Sequence, residues 1–301
     1  MKKTLLFLAA GMGSRYGGLK QLDQFGPNGE TLMEYSIYDG IRAGFEKIVF
    51  VIRRDFEADF KKAFIDKIKN KVEVDYVFQE LSNIPNEFSI PDGREKPWGT
   101  GHAILVANEK VNGPFTVLNA DDYYGSEAYK IMYDFLDGLN ISDQKLYCIA
   151  GYPLKKTLSD YGAVSRGVCE MDANGNLIRV TERLKIARSG DKILYQENDQ
   201  SFPLEEDTLV SMNLMGFSTS FFDYLKTYFV EFLKNSGNEL KTEYLLPQVV
   251  NELAVNGNVN VKVLKTDSQW FGVTYQEDRP MVMNNIKELV RKGIYPSNLW
   301  E

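Results

Sequence analysis

Cysteine, histidine and long apolar runs are scarce in this sequence of 301 residues, which has two cysteines and one histidine. Cys148 and Cys169 both lie in apolar, strand-like stretches, which indicates two buried thiols rather than a disulfide or a metal site. Such thiols suit a reducing cytoplasm, where we expect the protein. No apolar run reaches the ~18 residues that a membrane-spanning helix needs, so a transmembrane protein is excluded.

Positive charge is also in short supply. Lysine and arginine total 35 against 42 acidic residues, for a formal net charge of -7. This balance argues against a broad surface for nucleic acid or for an anionic membrane. An anionic partner must therefore be small and held by local cations. The sequence leaves open whether the chain forms homo-oligomers.

What the sequence has in plenty is apolar residues, 44% of the total, enough for a large buried core. In the first half, strand-like runs alternate with helical patterns, and this predicts βαβ units on a mostly parallel sheet. The predicted strands are Thr4–Ala9, Lys47–Arg53, Val72–Phe78 and Phe115–Asn119, with helices from Thr31, from Asp55 and after Gly101.

The second half has a different pattern. Tyr161–Met171 and Leu177–Arg183 flank the turn DANGN and predict an antiparallel hairpin, so that a mixed sheet extends the parallel one. The further predicted elements are helices at Ser220–Lys234, Glu243–Val255 and Asp278–Lys292 and strands at Val259–Lys265 and Trp270–Val273. No linker interrupts the chain, which favours a single domain over residues 1–301.

The apolar run after Lys2 and Lys3 resembles the start of a secretory signal peptide. It ends at Gly11, about the lower limit of length for such a run, and Arg15 and Lys20 follow closely. A buried parallel strand is the better interpretation.

The loop GMGSRYG, residues 11–17, is close to the fingerprint of a dinucleotide site. Its glycines let backbone N–H groups approach phosphate oxygens. A dinucleotide site also needs a helix directly after the loop and an acidic residue about 20 positions on, and neither is clear here. Arg15 and Lys20 instead supply two cations, which suit a triphosphate better.

The stretch LAAGMGSR, residues 8–15, followed by Lys20, resembles the signature of the nucleotidyltransferases that make nucleotide-activated sugars. The resemblance implies a Rossmann-like, glycosyltransferase-A-like α/β fold. It assigns Arg15 to the triphosphate and Lys20 to neutralising the reacting groups. The loop residues implied in nucleotide binding are Ala9, Ala10, Gly11 and Gly13.

Two further stretches resemble nucleotide and metal motifs of the family, in the family's order. Gln79 resembles its base-contacting glutamine, and PWGTGHA, with Gly99 and Thr100, resembles the loop that packs on base and ribose. LNADDYYG ends a predicted strand, and Asp121 resembles the aspartate that holds Mg²⁺, with Asp122 in support. His102 is assigned no catalytic role.

The acceptor motifs follow. In SDYGAVS, Tyr161 and Gly162 resemble the loop that meets the sugar. In VTERL, Glu182 would bind sugar hydroxyls and Arg183 the acceptor phosphate, with Lys185 as an alternative cation. In SMNLMGF, Asn213 would face the acceptor, while its apolar neighbours belong to the core.

One position departs from the family pattern, which has a second metal aspartate in a Trp-x-Asp turn. Gly272 stands in that place. We expect Asp121 to hold the metal with phosphates and water, because Mg²⁺ tolerates few protein ligands when a triphosphate supplies oxygens. The alternatives are carboxylates from nearby, namely Asp267, Glu277 and Asp278.

The resemblance implies transfer of a nucleoside monophosphate from a triphosphate to a sugar 1-phosphate, with residues 1–125 binding the nucleotide and 126–301 the acceptor. Such a reaction needs no histidine or cysteine, since the attacking phosphate is already ionised. Three alternatives remain. They are cytidylyl transfer to phosphocholine, with Trp98, Tyr161 and Trp270 around the cation; a glycosyltransferase, from the acidic stretch Ala120–Asp122; and a non-catalytic nucleotide sensor.

Overall fold

The computed structural model describes residues 1–11, 23–140 and 143–301, which form a mixed α/β fold. The strands of this part of the chain are β1 (Thr4–Leu8), β2 (Lys47–Ile52), β3 (Glu73–Phe78), β4 (Phe115–Asn119), β5 (Asp122–Tyr123), β6 (Leu146–Pro153), β7 (Val164–Met171), β8 (Leu177–Ser189), β9 (Lys192–Glu197), β10 (Gln200–Leu204), β11 (Leu209–Phe217), β12 (Asn260–Lys265) and β13 (Phe271–Gly272).

Helices flank these strands. They are α1 (Leu32–Ala43), α2 (Glu57–Phe60), α3 (Asp66–Ile68), α4 (Thr100–Leu105), α5 (Ser126–Asp137), α6 (Phe221–Ser236), α7 (Leu246–Val255) and α8 (Asp278–Arg291). A π-helical turn, Lys61–Ile65, joins α2 to α3. Of the helices in the described ranges, none has the length and apolar character to cross a membrane.

The four strands β3, β2, β1 and β4 lie side by side and run parallel, as the alternation in the first half predicts. Both faces of this sheet are covered. Leu5 and Phe7 of β1 pack into one core and Leu6 into the other, because successive side chains of a strand point to opposite faces. The run that resembles a signal peptide therefore forms a central, buried strand.

Beyond β4 the sheet becomes mixed. β11 runs antiparallel to β4, β6 and β7, whereas β12 is parallel to β6. From β7 the sheet continues as an antiparallel arm through β8, β9 and β10. The predicted hairpin is confirmed as β7 and β8, and the carboxylate of Asp172 accepts the backbone N–H groups of Asn174 and Asn176 at its turn.

Some elements differ from the sequence predictions. Helix α5 and the hairpin of β9 and β10 were not predicted, and β6 was indicated only by the strand-like stretch around Cys148. Helix α7 begins at Leu246 rather than at Glu243, since Tyr244 pairs with another loop: its backbone N–H donates to the carbonyl of Trp98, and its carbonyl accepts from Gly101. These tertiary hydrogen bonds replace a first helical turn.

Candidate active site

A cleft of about 460 Å³ lies beside the carboxyl end of β4, the place where open α/β sheets bind ligands. The parallel half contributes Thr100, Asn119 and Asp122 to its lining. The other half contributes residues of β7, β8 and β11, the start of α7, and Trp270. Both halves of the chain thus meet in one cavity.

The glycine-threonine loop, which is predicted to contact the nucleotide, is held against Tyr244. Gly99 has φ +110°, and a Cβ there would lie 2.6 Å from the carbonyl oxygen of Tyr244. Thr100 begins α4, and its Oγ1 accepts the backbone N–H of Leu246 at 2.9 Å. Only glycine satisfies both the positive φ and the close approach at position 99. The loop is therefore shaped by contacts with the chain that leads into α7.

Gln79 braces the same loop. Its Nε2 donates to the carbonyl oxygen of Gly99 at 2.9 Å and lies 3.2 Å from Nδ1 of His102. The other ring nitrogen of His102 lies 2.8 Å from the carbonyl oxygen of Asn83. Burial lowers the pKa of His102 to about 4, so its ring is neutral and serves packing, consistent with the absence of a catalytic assignment.

The two adjacent aspartates at the end of β4 have different surroundings. Asp121 is half-buried in the turn between β4 and β5. Asp122 is buried and lines the cleft, and its Oδ2 accepts from Nδ2 of Asn119 at 3.0 Å. Strand β13 pairs with β5 and places Gly272 opposite Asp122. A Cβ at position 272 would lie 2.8 Å from Oδ1 of Asp122, so this glycine leaves room for the neighbouring carboxylate.

Two of the alternative carboxylates have other roles. Asp278 is buried: its Oδ1 accepts from the hydroxyl of Ser159, and its Oδ2 accepts the backbone N–H groups of Thr274 and Tyr275. Asp267 is exposed and lies 3.5 Å from the ammonium of Lys156. Neither lines the cleft. Asp278 instead ties the loop at Ser159, the predicted sugar loop, to the start of α8.

The donor set at the end of β4 fits a hard cation with few protein ligands. Carboxylate and amide oxygens of Asn119, Asp121 and Asp122 are the ligand type that Mg²⁺ takes, and the absence of a side chain at Gly272 accommodates the carboxylate of Asp122. Within residues 1–11, 23–140 and 143–301 there is no cluster of three or more histidine, cysteine, aspartate or glutamate residues suited to a metal.

Two of the residues predicted to contact the acceptor, Glu182 of β8 and Asn213 of β11, line the same cleft as Thr100. Asn213 has φ +64° and stands where the pairing of β11 with β6 shifts register. Asparagine tolerates this left-handed conformation better than most residues. The tertiary structure thus brings together three residues predicted from separate motifs.

The predicted sugar loop is held in place by Tyr275. The side chain of Tyr161 is exposed. Gly162 packs on the ring of Tyr275, whose hydroxyl donates to the carbonyl oxygen of Ala163 at 2.6 Å. Neither Tyr161 nor Gly162 is part of the cleft lining, and their role in acceptor binding stays a prediction.

Arg183, the predicted phosphate contact, is engaged elsewhere. Its Nη1 lies 2.8 Å from Oε1 of Glu197, and its guanidinium lies 4.6 Å from the centroid of the Tyr195 ring. The pairing of β7 with β8 shifts register between Arg183 and Ile186, and in that interval Lys185 adopts φ +52°. Neither cation is part of the cleft lining.

The cleft instead contains an arginine that the sequence analysis missed. Arg166 of β7 is buried and lines the cavity, with its guanidinium 4.8 Å from the centroid of the Trp270 ring. A signal was present, because Val164 and Val168 lie on the same face of the strand and are buried. A cation between two core positions indicates a buried charge with a specific role.

Two of the aromatic rings considered for a choline cation have an arginine over one face. Arg94 lies 3.7 Å from the ring centroid of Trp98, and Arg166 covers Trp270. The indole of Trp98 is also fully buried and donates to the carbonyl oxygen of Leu81 at 3.0 Å. These contacts disfavour an aromatic cage for a quaternary amine.

The phosphate loop is described only at its start. Ala9 and Ala10 are buried after β1, and the backbone N–H of Ala9 donates to the carbonyl oxygen of Val51 at 2.9 Å. Gly11 follows at the surface. The predicted contacts Gly13, Arg15 and Lys20 lie outside the described residues.

The sequence and the fold of this chain were compared with those of known proteins. Residues 5–278 match the sequence model of the family described as Nucleotidyl transferase. No curated protein matches the chain. Two solved structures share its fold over nearly their whole length.

The first is a protein assigned as a glucose-1-phosphate thymidylyltransferase from Bacillus anthracis, in complex with sucrose. It is 11% identical with a TM-score of 0.62, over 95% of this chain and 96% of that one. The second is a UDP-glucose pyrophosphorylase complexed with UDP-glucose, 17% identical with a TM-score of 0.58, over 96% and 99% of the two chains.

Proposed function

Because the chain belongs to the nucleotidyl transferase family, we propose that it transfers a nucleoside monophosphate from a nucleoside triphosphate to a sugar 1-phosphate, releasing pyrophosphate. The observation that carries the proposal is the single cleft that joins Thr100 of the nucleotide half to Glu182 and Asn213 of the acceptor half. The names of the two structural relatives, which include glucose 1-phosphate and UDP-glucose, support the choice of acceptor.

The proposed reaction is one displacement at phosphorus. A phosphate oxygen of the acceptor forms a bond to the α-phosphorus, and the bond from that phosphorus to the bridging oxygen breaks. Pyrophosphate leaves with the electron pair. The nucleophile is already ionised at neutral pH, so the protein's task is to position the reactants and to neutralise charge. Burial raises the pKa of Cys148 and of Cys169, which suits a packing role for both thiols.

The residues divide into two groups in this proposal. Arg15 and Lys20 neutralise the triphosphate. The nucleotide is held by Ala9, Ala10, Gly11, Gly13, Gln79, Gly99 and Thr100, and the acceptor by Tyr161, Gly162, Glu182 and Asn213. Arg183, which the resemblance assigned to the acceptor phosphate, is left out because it pairs with Glu197. Glu182 would accept hydrogen bonds from sugar hydroxyls, since a carboxylate offers two acceptor oxygens.

A divalent cation such as Mg²⁺, when bound, would neutralise charge on the phosphates. Asp121 would hold it from the end of β4. Asp122, whose Oδ2 accepts from Asn119, would support the site from the neighbouring position. Gly272 supplies no ligand, and a side chain there would come within 2.8 Å of Oδ1 of Asp122.

A pyrophosphate-release screen tests the proposal. Each of the common nucleoside triphosphates is paired with a panel of sugar 1-phosphates and with phosphocholine, in the presence of Mg²⁺. The proposal expects release that depends on both a triphosphate and a sugar 1-phosphate. Release that occurs with phosphocholine as acceptor, and with none of the sugar 1-phosphates, would identify a cytidylyltransferase. Binding of a triphosphate without pyrophosphate release from any pair would identify a nucleotide sensor. A parallel incubation contains a nucleotide sugar in place of the triphosphate and acceptor. Consumption of that nucleotide sugar without pyrophosphate release would identify a glycosyltransferase.

A further inference from the structure

The acceptor of the proposed reaction carries a phosphate, and its site needs a cation. Arg166 is the one positively charged residue among those lining the cleft in the described part of the chain. The other arginines of the hairpin are paired with glutamates: Arg179 with Glu170, Arg183 with Glu197, and Arg188 with Glu206. The positive charge inside the cleft therefore comes from Arg166.

The guanidinium of Arg166 is held in place by neutral oxygens. Its Nε donates to Oγ1 of Thr157 at 3.2 Å, its Nη1 to the carbonyl oxygen of Ser165 at 2.8 Å, and its Nη2 to the carbonyl oxygen of Thr157. A guanidinium has five N–H groups. One N–H on each terminal nitrogen therefore remains for another acceptor, and such a pair matches two oxygens of a phosphate.

The buried charge of Arg166 lacks a close anionic partner among the described residues. Asp122 and Asp278 attract it electrostatically, but Asp278 accepts hydrogen bonds from Ser159, Thr274 and Tyr275. Burial lowers the pKa of Arg166 to about 10, which leaves it charged at neutral pH. A buried cation without an ion pair is costly, and an anionic substrate would offset that cost.

Trp270 fixes the orientation of this group. Its ring lies beneath the guanidinium at 4.8 Å, and its edge is 3.3 Å from where a Cβ at Gly272 would be. Gly272 in turn pairs with Asp122. Arg166 is thus connected, through packed side chains, to the end of β4 where the reacting phosphates are expected.

We propose that Arg166 is the residue that binds the phosphate of the acceptor, the role that the sequence resemblance assigned to Arg183. This inference rests on the proposed function, since it takes the acceptor to be a phosphate monoester. It makes Arg166 a determinant of acceptor specificity, because an acceptor without a phosphate would leave the buried guanidinium unpaired.

The test compares R166Q and R166K with R183Q. Pyrophosphate release gives the KM of glucose 1-phosphate and of the triphosphate separately, and calorimetry gives direct binding of glucose 1-phosphate, glucose and inorganic phosphate. We expect R166Q to raise the acceptor KM about tenfold to a hundredfold, as loss of a charge-assisted contact does. The KM of the triphosphate should change less than about twofold. R166K should restore part of the loss.

Inorganic phosphate adds a readout that a purely structural role would not change. It should compete with glucose 1-phosphate in the wild type and in R183Q, and lose this competition in R166Q. Arg179 is exposed and paired with Glu170 on the same hairpin. The variant R179Q is therefore a matched control, in which the KM values of glucose 1-phosphate and of the triphosphate should not change. Near-ultraviolet circular dichroism and thermal unfolding report whether each variant folds, and R166K decides the question if R166Q does not.

Three results would overturn the inference: a selective rise of the acceptor KM in R183Q but not in R166Q, equal rises of both KM values in R166K and R166Q, or an unchanged acceptor KM in both. If the wild type releases no pyrophosphate with any acceptor, the proposed function fails. Calorimetry with inorganic phosphate still decides the role of Arg166 in that case, since loss of phosphate binding in R166Q supports it and retention refutes it.

Discussion

The parallel and antiparallel regions of the sheet place their polar residues in the cleft by different means. In the parallel region, β4 ends at Asn119 and Asp122 lies three residues further on, after a short turn, so the strand order alone brings them to the cleft. In the antiparallel region, Glu182 and Arg183 are neighbours in the chain, yet Glu182 lines the cleft and Arg183 pairs with Glu197.

The difference lies in how far each placement depends on register. Parallel strands align their carboxyl ends, so residues just after a strand share one edge of the sheet. On an antiparallel strand, a shift of one residue moves a side chain to the opposite face. Glu182 and Arg183 pair with Gly167 and Arg166 in an unbroken register, and as neighbours on β8 they point to opposite faces. Strand ends are therefore a better guide to a site than positions within an antiparallel strand.

The largest expected effect is at the end of β4. Asp121→Asn should reduce kcat about a thousandfold if this carboxylate holds the metal, because the amide loses the charge that binds a hard cation. Steady-state pyrophosphate release at several Mg²⁺ concentrations measures it. Asp267→Asn, at an exposed carboxylate near Lys156, is the control and should retain activity. Equal losses in both variants would contradict a site based on one aspartate.

The contact between α1 and the C-terminal segment gives a pH-dependent effect outside the cleft. Burial raises the pKa of Asp39 from 3.8 to about 7, while the hydroxyl of Tyr295 donates to its Oδ2 at 2.6 Å and Arg42 attracts it. The folded state thus binds the proton of the Asp39 carboxyl more tightly than the unfolded chain does. The contribution of this proton to the free energy of unfolding is therefore full below about pH 4 and is lost as the pH rises through 7.

Asp39→Asn should remove that dependence. One pKa unit corresponds to about 1.4 kcal/mol. The free energy of unfolding of the wild type should therefore fall by up to ~4 kcal/mol between pH 4 and 8 through this group, and the variant should not show this fall. Urea unfolding at a series of pH values measures the difference. Parallel curves for the two proteins would show that Asp39 titrates normally in the folded state.

The glycine-threonine loop tests how firmly the parallel region depends on the chain leading into α7. Gly99→Ala should lower the free energy of unfolding by about 2–3 kcal/mol and raise the KM of the triphosphate, because the Cβ of the alanine would contact the backbone of Tyr244. Gly93 also has a positive φ but has open space around it, and Gly93→Ala should cost about 1 kcal/mol. Equal costs would mean that backbone strain alone, and not the contact, restricts position 99.

The smallest effect concerns the acceptor side. Glu182→Gln should raise the acceptor KM about tenfold and leave the KM of the triphosphate within about twofold, since a residue that contacts one substrate affects that substrate alone. Glu170, paired with Arg179 on the same hairpin, supplies Glu170→Gln as a control without effect. A matching rise in both KM values would place Glu182 outside the acceptor site.

Much of the fold was predictable from local patterns. The apolar runs of β1, β2 and β4 lie within a residue of their predicted bounds. Thr31 caps α1 in a capping box with Glu34, as a helix beginning near Thr31 predicts. Of the predicted site, Thr100, Glu182 and Asn213 lie together in the cleft. The strands and the cap depend on residues close in sequence, or on side-chain patterns that a buried sheet requires. The three site residues were found from separate motifs, and the tertiary structure brings them together.

The sequence by itself thus determined the parallel strands, the hairpin at Asp172 and the residue types of the site. Only the tertiary structure decided that Gly272 faces Asp122, that Asn213 adopts a left-handed conformation and that Arg166 rather than Arg183 lines the cleft. The physical reason is that these features arise from contacts between distant segments. Arg166 and Arg183 are partners across β7 and β8, yet Thr157 and Trp270 hold Arg166, whereas Glu197 and Tyr195 hold Arg183. No local sequence pattern specifies such long-range partners.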